Sequence, residues 1–263
     1  PALNGVTGGV FADWWNKSIL VTEGDDHWRL RRLVNPAFSP KIVKALMGDF
    51  ERIANDLADG FIDRGACDFM AEFADPYAAR VLCLLLGLPE SEAPFILRTS
   101  ATMGLALGVN FPNLVDEIEA ATVELGGFIS EVLKAREANP GDDILSVMVQ
   151  ARDEGDRLSH EELWNLALML AFAGVDTTRN QLGLGMSMFA DHPGQWEALA
   201  ADPSLDMAAA TEVMRMRPTI TWVSREATRD FDYGGITIPR GTVLHLYSES
   251  AGTDPAVMAD APF

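Results

Sequence analysis

The sequence predicts a mostly α-helical protein with a small β lobe toward its C-terminal end. The first indication is the stretch 159–191, which is apolar on nearly every side of a helix and is bounded by helix start and stop signals. The second is the segment 40–64, where large apolar side chains recur at helical spacing. The third is a change to short β-type segments and glycine turns beyond the last long helix. We therefore expect one domain over residues 1–263, with a helical body at 1–218 and a β lobe at 219–263.

Helices and strands follow one another in a simple order along the chain. Before the central stretch we expect a glycine-rich loop with one short helix over 1–24, helices over 25–34, 40–64, 75–86, 113–139 and 140–152, a helix followed by an apolar loop over 90–109, and a charged turn over 153–156. After it we expect a short helix around 195–197, a helix over 206–216, and β segments over 221–225, 231–233, 236–238 and 242–246. Pro36 ends the helix that begins at residue 25.

The central helix has clear start and stop signals. Ser159 precedes Glu162 by three residues, which is a capping box that satisfies two free backbone N–H groups. The His-Pro-Gly at 192–194 breaks the helical pattern. At 1.5 Å per residue the helix is roughly 45–50 Å long, so it crosses a whole domain.

Polar residues interrupt this apolar helix at 173–178, Ala-Gly-Val-Asp-Thr-Thr. Aspartate and threonine are poor helix-interior residues, and Gly174 costs about 1 kcal/mol relative to alanine. A threonine hydroxyl can bond the carbonyl one turn back and bend the helix. Gly174 leaves a notch where a flat group could lie against the backbone, with a proton carrier beside it. The alternative is a helix kink around a buried, hydrogen-bonded Asp–Thr cluster.

Composition excludes several classes of function. Asp and Glu number 39 against 20 Lys and Arg, and a net charge of −19 argues against nucleic-acid binding, which needs a basic surface. It also argues against adsorption to anionic membranes. The central helix carries Asp176 and Arg179 midway, so we expect no membrane span. No signal peptide is visible, and two cysteines in a chain of this length indicate a reducing, cytoplasmic location.

Cys67 and Cys83 lack metal-ligand spacing, so we predict no metal ligand among the residues of this chain. Cys83 lies in an apolar run and is expected to be a buried small hydrophobe. The chain begins without methionine and stops in a turn-rich segment, so we expect it to be a fragment lacking both termini.

Two pairs of charged residues at helical spacing have open interpretations. His27 and Arg31 are four residues apart and share a helix face, where an anion such as a carboxylate or phosphate could bridge them. A basic surface stripe is the alternative. Glu212 and Arg215 form an i,i+3 pair, which by itself indicates little because such pairs are common on helix surfaces.

Four motifs, in order and at matching spacing, resemble the haem-thiolate monooxygenases, the cytochromes P450. Segment 173–178 resembles the oxygen-activation motif of that family's long central helix, and 212–215 resembles its E-x-x-R pair. Residues 27–31, with Asn-Pro-Ala-Phe at 35–38, resemble the helix that binds a haem propionate. Residues 225–241 resemble the β region that supplies a further propionate ligand. The resemblance covers nearly the whole chain.

The resemblance implies a haem-dependent monooxygenase that inserts one oxygen atom of O₂ into an apolar organic substrate. By similarity Asp176 and Thr177 are catalytic and deliver protons, while Glu212 and Arg215 form a buried pair in the core. The residues that would bind the cofactor, heme (iron protoporphyrin IX), are His27, Arg31, Ala173, Gly174 and Arg225. Ile220 and Trp222 would contact the substrate.

The resemblance also implies an electron-donor protein, and it requires a cysteine ligand that this chain does not supply. The family's iron is held by a Cys thiolate, which neither cysteine of this chain matches, so we expect that ligand beyond Phe263 and an inactive fragment. His27 indicates the soluble bacterial type, which implies a ferredoxin-type electron donor, and we expect a monomer. Two alternatives remain: a peroxide-using or rearranging enzyme of the same fold, and a non-catalytic all-α ligand-binding protein.

Overall fold

The computed structural model describes residues 8–35, 39–108, 110–153 and 158–258, with helices over most of the chain and short strands near its C-terminal end. The predicted fold class is therefore confirmed. The chain forms two compact units, of which the first ends at Arg179 and the second begins at Asn180. The predicted turn at 153–156, the Pro-Ala-Phe at 36–38 and Val109 lie partly or wholly outside the described residues.

The N-terminal unit consists of helices joined by short turns. Its helices are α1 (Val10–Trp15), α2 (Gly24–Val34), α3 (Pro40–Asp59), α4 (Asp75–Leu85), α5 (Ala93–Gly104), α6 (Val115–Ala138), α7 (Ile144–Asp153) and the first part of α8 (His160–Asp191). Helix α5 packs against α4 and α6, and α6 also packs against α1 and α7. Ile118, Leu125 and Ile129 of α6 are fully buried at helical spacing, so this face of α6 carries the core.

The central helix α8 has the start that the sequence predicts. The backbone N–H of Ser159 donates to Oε2 of Glu162 at 2.7 Å, and the backbone N–H of Glu162 donates to Oγ of Ser159 at 3.1 Å. This is the reciprocal capping box. Glu162 also pairs with Arg29 of α2, which ties the start of α8 to a neighbouring helix. Helix α8 then stays α-helical through Asp191, so the predicted length is confirmed.

Two of the predicted helices are shorter in the structure. Helix α3 ends at Asp59, and a separate 3₁₀ turn at Ile62–Arg64 follows, closed by Gly65 with φ at 66°. The left-handed conformation favours glycine and ends the 3₁₀ turn there, whereas Gly60, which caps α3 itself, keeps an ordinary right-handed conformation. The predicted helix and loop over 90–109 contain a 3₁₀ turn before α5 and another after it. A π-helical turn at Met70–Ala74 leads directly into α4, and the sequence pattern did not predict it.

The C-terminal unit contains the end of α8, three helices and four strands. These are α9 (Pro193–Ala201), α10 (Asp206–Met216), β1 (Trp222–Glu226), β2 (Phe231–Tyr233), β3 (Ile236–Ile238), β4 (Val243–Tyr247) and α11 (Ser248–Gly252). Strand β1 pairs antiparallel with β4, and β2 pairs antiparallel with β3. All four predicted β segments are strands, within one residue at each end.

The division between the units falls inside α8 and not at the predicted change from helical body to β lobe at residue 218. The reason lies in contacts within the C-terminal unit. Arg215 of α10 donates to the carbonyl of Gly252 at 2.6 Å, and Gln181 of α8 bonds the backbone of both Arg217 and Thr219. Helix α10 therefore belongs with the strands. That residues 1–263 make a single domain stays a prediction.

Within the described ranges, no helix combines the length and the apolar character needed to cross a bilayer.

Replacing the cap should measurably weaken α8. We expect Ser159→Ala to lower the free energy of unfolding by about 1 kcal/mol, because the N–H of Glu162 loses its acceptor. Urea denaturation measures the change. Ser159→Asp is the matched control, because it keeps an acceptor oxygen and should retain most of the stability. Equal stability of the alanine variant and the parent would contradict the capping role.

Candidate active site

The polar segment 173–178 lies in an uninterrupted part of α8. The hydroxyl of Thr177 donates to the carbonyl of Ala173 at 3.0 Å, and the hydroxyl of Thr178 donates to the carbonyl of Gly174 at 3.1 Å. Asp176 and both threonines are half-buried. These i−4 bonds are the ones expected of threonine in a helix, but the α-helical pattern continues through them. Both threonine hydroxyls are thus hydrogen-bonded, and the helix is neither broken nor interrupted at this segment.

Asp176 is bound by an arginine one turn further along the helix. Its Oδ1 accepts from Nε of Arg179 at 3.0 Å and lies 2.9 Å from Nη2. Arg179 also donates through Nη1 to Oδ1 of Asp75, at 3.1 Å, where α4 begins. Burial lowers the pKa of Arg179, but the hydrogen bonds to Asp75 and Asp176 outweigh it, so the pKa is raised above its ordinary value.

Sequence reasoning missed Arg179, the partner of the Asp176 carboxylate, and Asp75, the second partner of Arg179, as parts of the site. The i,i+3 spacing of Asp176 and Arg179 is a signal that could have indicated their pairing. Asp75 lies 104 residues before Arg179, and no spacing rule connects them. Only the packing of α4 beside α8 brings that carboxylate to the guanidinium.

Gly174 does not leave an open notch on its Cβ side. A methyl group built on Gly174 would lie 2.7 Å from Cδ1 of Leu82 on α4. The predicted space is therefore filled by a leucine side chain, because α4 packs closely on α8 at this point. Ala173 is half-buried against the core. That the backbone of these two residues contacts a cofactor stays a prediction.

His27 and Arg31 lie one turn apart on α2, as predicted. Nδ1 of His27 is 3.1 Å from the carbonyl of Ile19, which makes Nδ1 the assigned donor and leaves Nε2 for another partner. The side chain of Arg31 is exposed and has no ion pair within the described ranges. Arg29 of the same helix pairs with Glu162. The basic side chains of α2 are therefore not equivalent: His27 bonds a backbone carbonyl, Arg29 pairs with Glu162, and Arg31 is exposed.

Arg225 lies on β1 in the C-terminal unit. Its side chain is exposed and its Nη1 donates to the carbonyl of Ser224 at 2.8 Å. No carboxylate among the described residues pairs with it. Arg225 thus keeps most of its guanidinium donors available for an anion.

His27 and Arg31 of the N-terminal unit and Arg225 of the C-terminal unit each carry a group suited to a carboxylate such as a haem propionate, and that they bind one haem together stays a prediction. His27, Arg31 and Arg225 offer imidazole and guanidinium groups, which bind carboxylates well. Neither cysteine lies in a setting that suits a ligand of the haem iron. Burial raises the pKa of the Cys83 thiol to about 12, helped by Glu92 and Glu90, so a thiolate is disfavoured there. Cys67 is exposed, and the described residues contain no cluster of three His, Cys, Asp or Glu that could hold a metal.

A cleft of about 350 Å³ lies near the start of α8, away from the polar segment. Its walls are mainly charged, and the ion pair of Lys17 with Glu161 lies on one side at 2.5 Å. Asn165, which also lines it, precedes Asp176 by three helical turns, or about 16 Å along the axis. The charged walls do not suit an apolar substrate.

Glu212 and Arg215 pair as predicted but are not buried together. Two N–H groups of Arg215 donate to the two carboxylate oxygens of Glu212 at 2.7 and 2.6 Å. The Glu212 side chain is 56% exposed, so the expected buried pair is wrong for this structure. Arg215 also donates to the backbone carbonyl of Gly252, so it joins α10 to α11.

The contact of Gly174 with Leu82 predicts the sign of a stability change. We expect Gly174→Ala to lower the free energy of unfolding by about 1–2 kcal/mol, because overpacking against Leu82 outweighs the helix propensity of alanine. Gly127 of α6 is exposed, with nothing near its missing Cβ. Gly127→Ala is therefore the matched control and should raise the stability by about 0.5–1 kcal/mol. Stabilisation of similar size in both variants, measured by urea denaturation, would contradict the contact.

The family model for cytochrome P450 matches residues 107–262, more than half of the chain. Luteothin monooxygenase of Streptomyces thioluteus is 33% identical over 260 residues, covering 98% of this chain and 63% of that protein. The polyketide biosynthesis cytochrome P450 PksS of Bacillus subtilis (strain 168) is 32% identical over 245 residues, covering 92% of this chain and 59% of that protein.

Solved structures agree with this assignment. The crystal structure of CalO2 superimposes with a TM-score of 0.88 at 29% identity, covering 97% of this chain and 64% of that one. The chain spans about three fifths of the length of the curated relatives it matches. Sequence family, relatives and fold therefore lead to one conclusion: the chain belongs to the cytochrome P450 family.

Proposed function

We propose that the protein is a haem-dependent monooxygenase that inserts one oxygen atom of O₂ into an apolar organic substrate. The observation that carries the proposal is the adjacent acid and alcohol, Asp176 and Thr177, on a half-buried face of the long helix α8. Apolar residues would stabilise that position more effectively. The names of curated relatives, which include monooxygenases and hydroxylases, support the same class of reaction.

The protein would bind the haem cofactor through the two propionate groups on one edge of the ring. Haem, when bound, supplies the iron at which dioxygen is reduced and cleaved. Arg31 and Arg225 would bind its propionates with guanidinium donors, and His27 would donate through Nε2 when protonated. We expect the thiolate ligand of the iron beyond Phe263, because neither Cys67 nor Cys83 matches the family's cysteine motif, and the buried setting of Cys83 also disfavours a thiolate. On the same ground, residues 1–263 alone should be inactive.

The chain's own residues would manage protons in this reaction. Oγ1 of Thr177 carries a proton whose acceptor is the Ala173 carbonyl, so rotation of the hydroxyl could direct that proton to a reacting oxygen. Asp176 lies one residue away, and its carboxylate would take a proton from solvent water and pass it on, through water, to the Thr177 hydroxyl. Its Oδ1 accepts from Nε of Arg179 at 3.0 Å, which holds the carboxylate in one orientation.

Substrate and partners follow from weaker observations. Ile220 and Trp222 each expose about half of their surface, which suits contact with an apolar molecule. The relative PksS is named for polyketide biosynthesis, and another relative for steroid oxidation at C26, so we expect a sizeable apolar substrate. We propose a ferredoxin-type protein as electron donor, no nucleic-acid partner, and a monomeric enzyme.

A peroxide-using or rearranging enzyme is the second candidate. It would keep the fold and the cofactor but would have no need for a proton relay to dioxygen. The acid and alcohol at Asp176 and Thr177 therefore favour the oxygen-dependent reaction. A non-catalytic ligand-binding protein would explain neither these residues nor the family match.

The cofactor proposal predicts a spectrum. We expect the protein expressed from its complete coding sequence to bind haem, and its reduced carbon-monoxide complex to absorb at the position typical of thiolate ligation. Absorption spectroscopy with and without carbon monoxide measures this. A spectrum typical of histidine-ligated haem, or the absence of haem, would overturn the proposal.

The catalytic proposal predicts a difference between two neighbouring threonines. Thr177→Ala should reduce the product formed per O₂ consumed by at least about tenfold, since a positioned proton donor contributes roughly 10²–10⁴ in rate. Thr178→Ala is the matched control, because Thr178 makes the same kind of bond to the helix backbone.

Product and oxygen are measured together during turnover by the haem-loaded enzyme. We expect the control to keep nearly parental coupling. If the two variants behave alike, Thr177 has no special role in proton delivery. If the parent enzyme forms product with peroxide, or with neither oxidant, but not with O₂ and an electron donor, the second candidate replaces the first.

A further inference from the structure

Asp75, Arg179 and Asp176 form a chain of three charges in the N-terminal unit. The guanidinium of Arg179 lies between the two carboxylates, 3.1 Å from Oδ1 of Asp75 and 2.9 Å from Oδ1 of Asp176. The side chains are 23%, 25% and 28% exposed respectively, so water screens the group only in part. Two carboxylates share one cation, and each competes for the same planar donor fork.

The contacts fix the orientation of the Asp176 carboxylate. Both Nε and Nη2 of Arg179 are directed to one oxygen, Oδ1, which leaves Oδ2 outside this pairing. A methyl group built on Gly104 of α5 would lie 3.5 Å from the Asp176 carboxyl carbon, so the acid lies over the backbone of α5. Arg179 therefore binds one oxygen of a carboxylate that lies close to the backbone of α5.

Asp75 fixes the guanidinium in turn. It is the first residue of α4, which continues directly from the π-helical turn Met70–Ala74. Because Nη1 donates to Asp75, the plane of the Arg179 fork is held from a second helix. Without that bond, Arg179 would be attached only to an acid on its own helix.

We propose that Arg179 is a positioning residue for the proton carrier Asp176, and that Asp75 acts on Asp176 only by holding Arg179. The proposal rests on the proposed function, because it assigns a role within the relay of Asp176 and Thr177. Asp75 touches no reacting atom, and its effect passes through the guanidinium. The three residues therefore behave as one unit, in which removing the anchor loosens the acid.

The dependence of Asp75 on Arg179 gives a test by epistasis. In the haem-loaded protein expressed from its complete coding sequence, Arg179→Gln should lower the product formed per O₂ consumed about fivefold to tenfold. Asp75→Asn should lower it about twofold to fivefold. The double variant should be no worse than Arg179→Gln alone, because Asp75 has nothing left to hold. Independent, multiplying losses would overturn the proposal.

Arg80 provides a matched control for loss of stability. It lies on α4 between two carboxylates, 3.1 Å from Asp56 and 2.6 Å from Glu90, and is 18% exposed. Arg80→Gln removes an arginine of the same geometry from another part of the unit. It should leave coupling within about twofold of the parent. If it uncouples as strongly as Arg179→Gln, the effect of Arg179 is general destabilisation and the proposal fails.

A spectroscopic measurement tests the positioning without turnover. Proteins carrying ¹⁵N at arginine Nε are studied in the reduced carbon-monoxide form, and the Arg179 signal is assigned by its loss in Arg179→Gln. Its Nε–H should exchange slowly with water, because it donates to Asp176. Asp75→Asn should speed that exchange at least about threefold. Unchanged exchange would show that Asp75 does not hold Arg179, and would overturn the proposal.

The two proposals fail in different ways. If Thr177→Ala uncouples the enzyme but Asp75→Asn changes neither coupling nor Nε–H exchange, the monooxygenase proposal stands and the positioning proposal is wrong. If Asp75→Asn speeds Nε–H exchange while Thr177→Ala and Arg179→Gln leave coupling unchanged, Arg179 is held as described but serves no relay. That outcome overturns the assigned role of Arg179 together with that of Thr177.

Discussion

The burial of α8 is the constraint on which the rest of the structure depends. Six large apolar side chains of this helix between residues 163 and 175 are at most 5% exposed: Leu163, Leu166, Leu168, Met169, Phe172 and Val175. Each contributes roughly 1.5–3 kcal/mol on burial, whereas Gly174 costs about 1 kcal/mol and each threonine less. Packing therefore wins, and the helix continues unbroken through residues that would end it in isolation.

The same burial requires every polar group of the 173–178 segment to find a partner nearby. The two threonine hydroxyls use carbonyls of their own helix, and the carboxylate of Asp176 uses Arg179. Segment 173–178 can therefore be both a hydrogen-bonded polar cluster and a functional site. A satisfied cluster is what allows an acid and an alcohol to remain half-buried on a packed helix until another group competes for them.

Local signals predicted the parts of the fold that depend on nearby residues. The capping box of Ser159 and the strands near the C-terminal end follow from spacing and turn residues, and both are present. The contact of Gly174 with Leu82, the π-helical turn and the partner Asp75 depend on how α4 packs against α8. No residue pattern encodes a contact across about 100 positions, so the candidate site was predicted by residue type and family, and its surroundings were not.

A π-helical turn immediately precedes Asp75, whose carboxylate binds Arg179 of α8. A π turn is a local widening of the helix that is often found at functional sites. Phe69, Phe73 and Tyr77 stack in sequence across this turn, with ring centroids 5.2 and 5.5 Å apart. The stacked rings hold the turn from inside α4's own segment, independently of α8. Asp75 therefore belongs to one helix while its carboxylate binds Arg179 on another, so the guanidinium that orients Asp176 is held from outside its own helix.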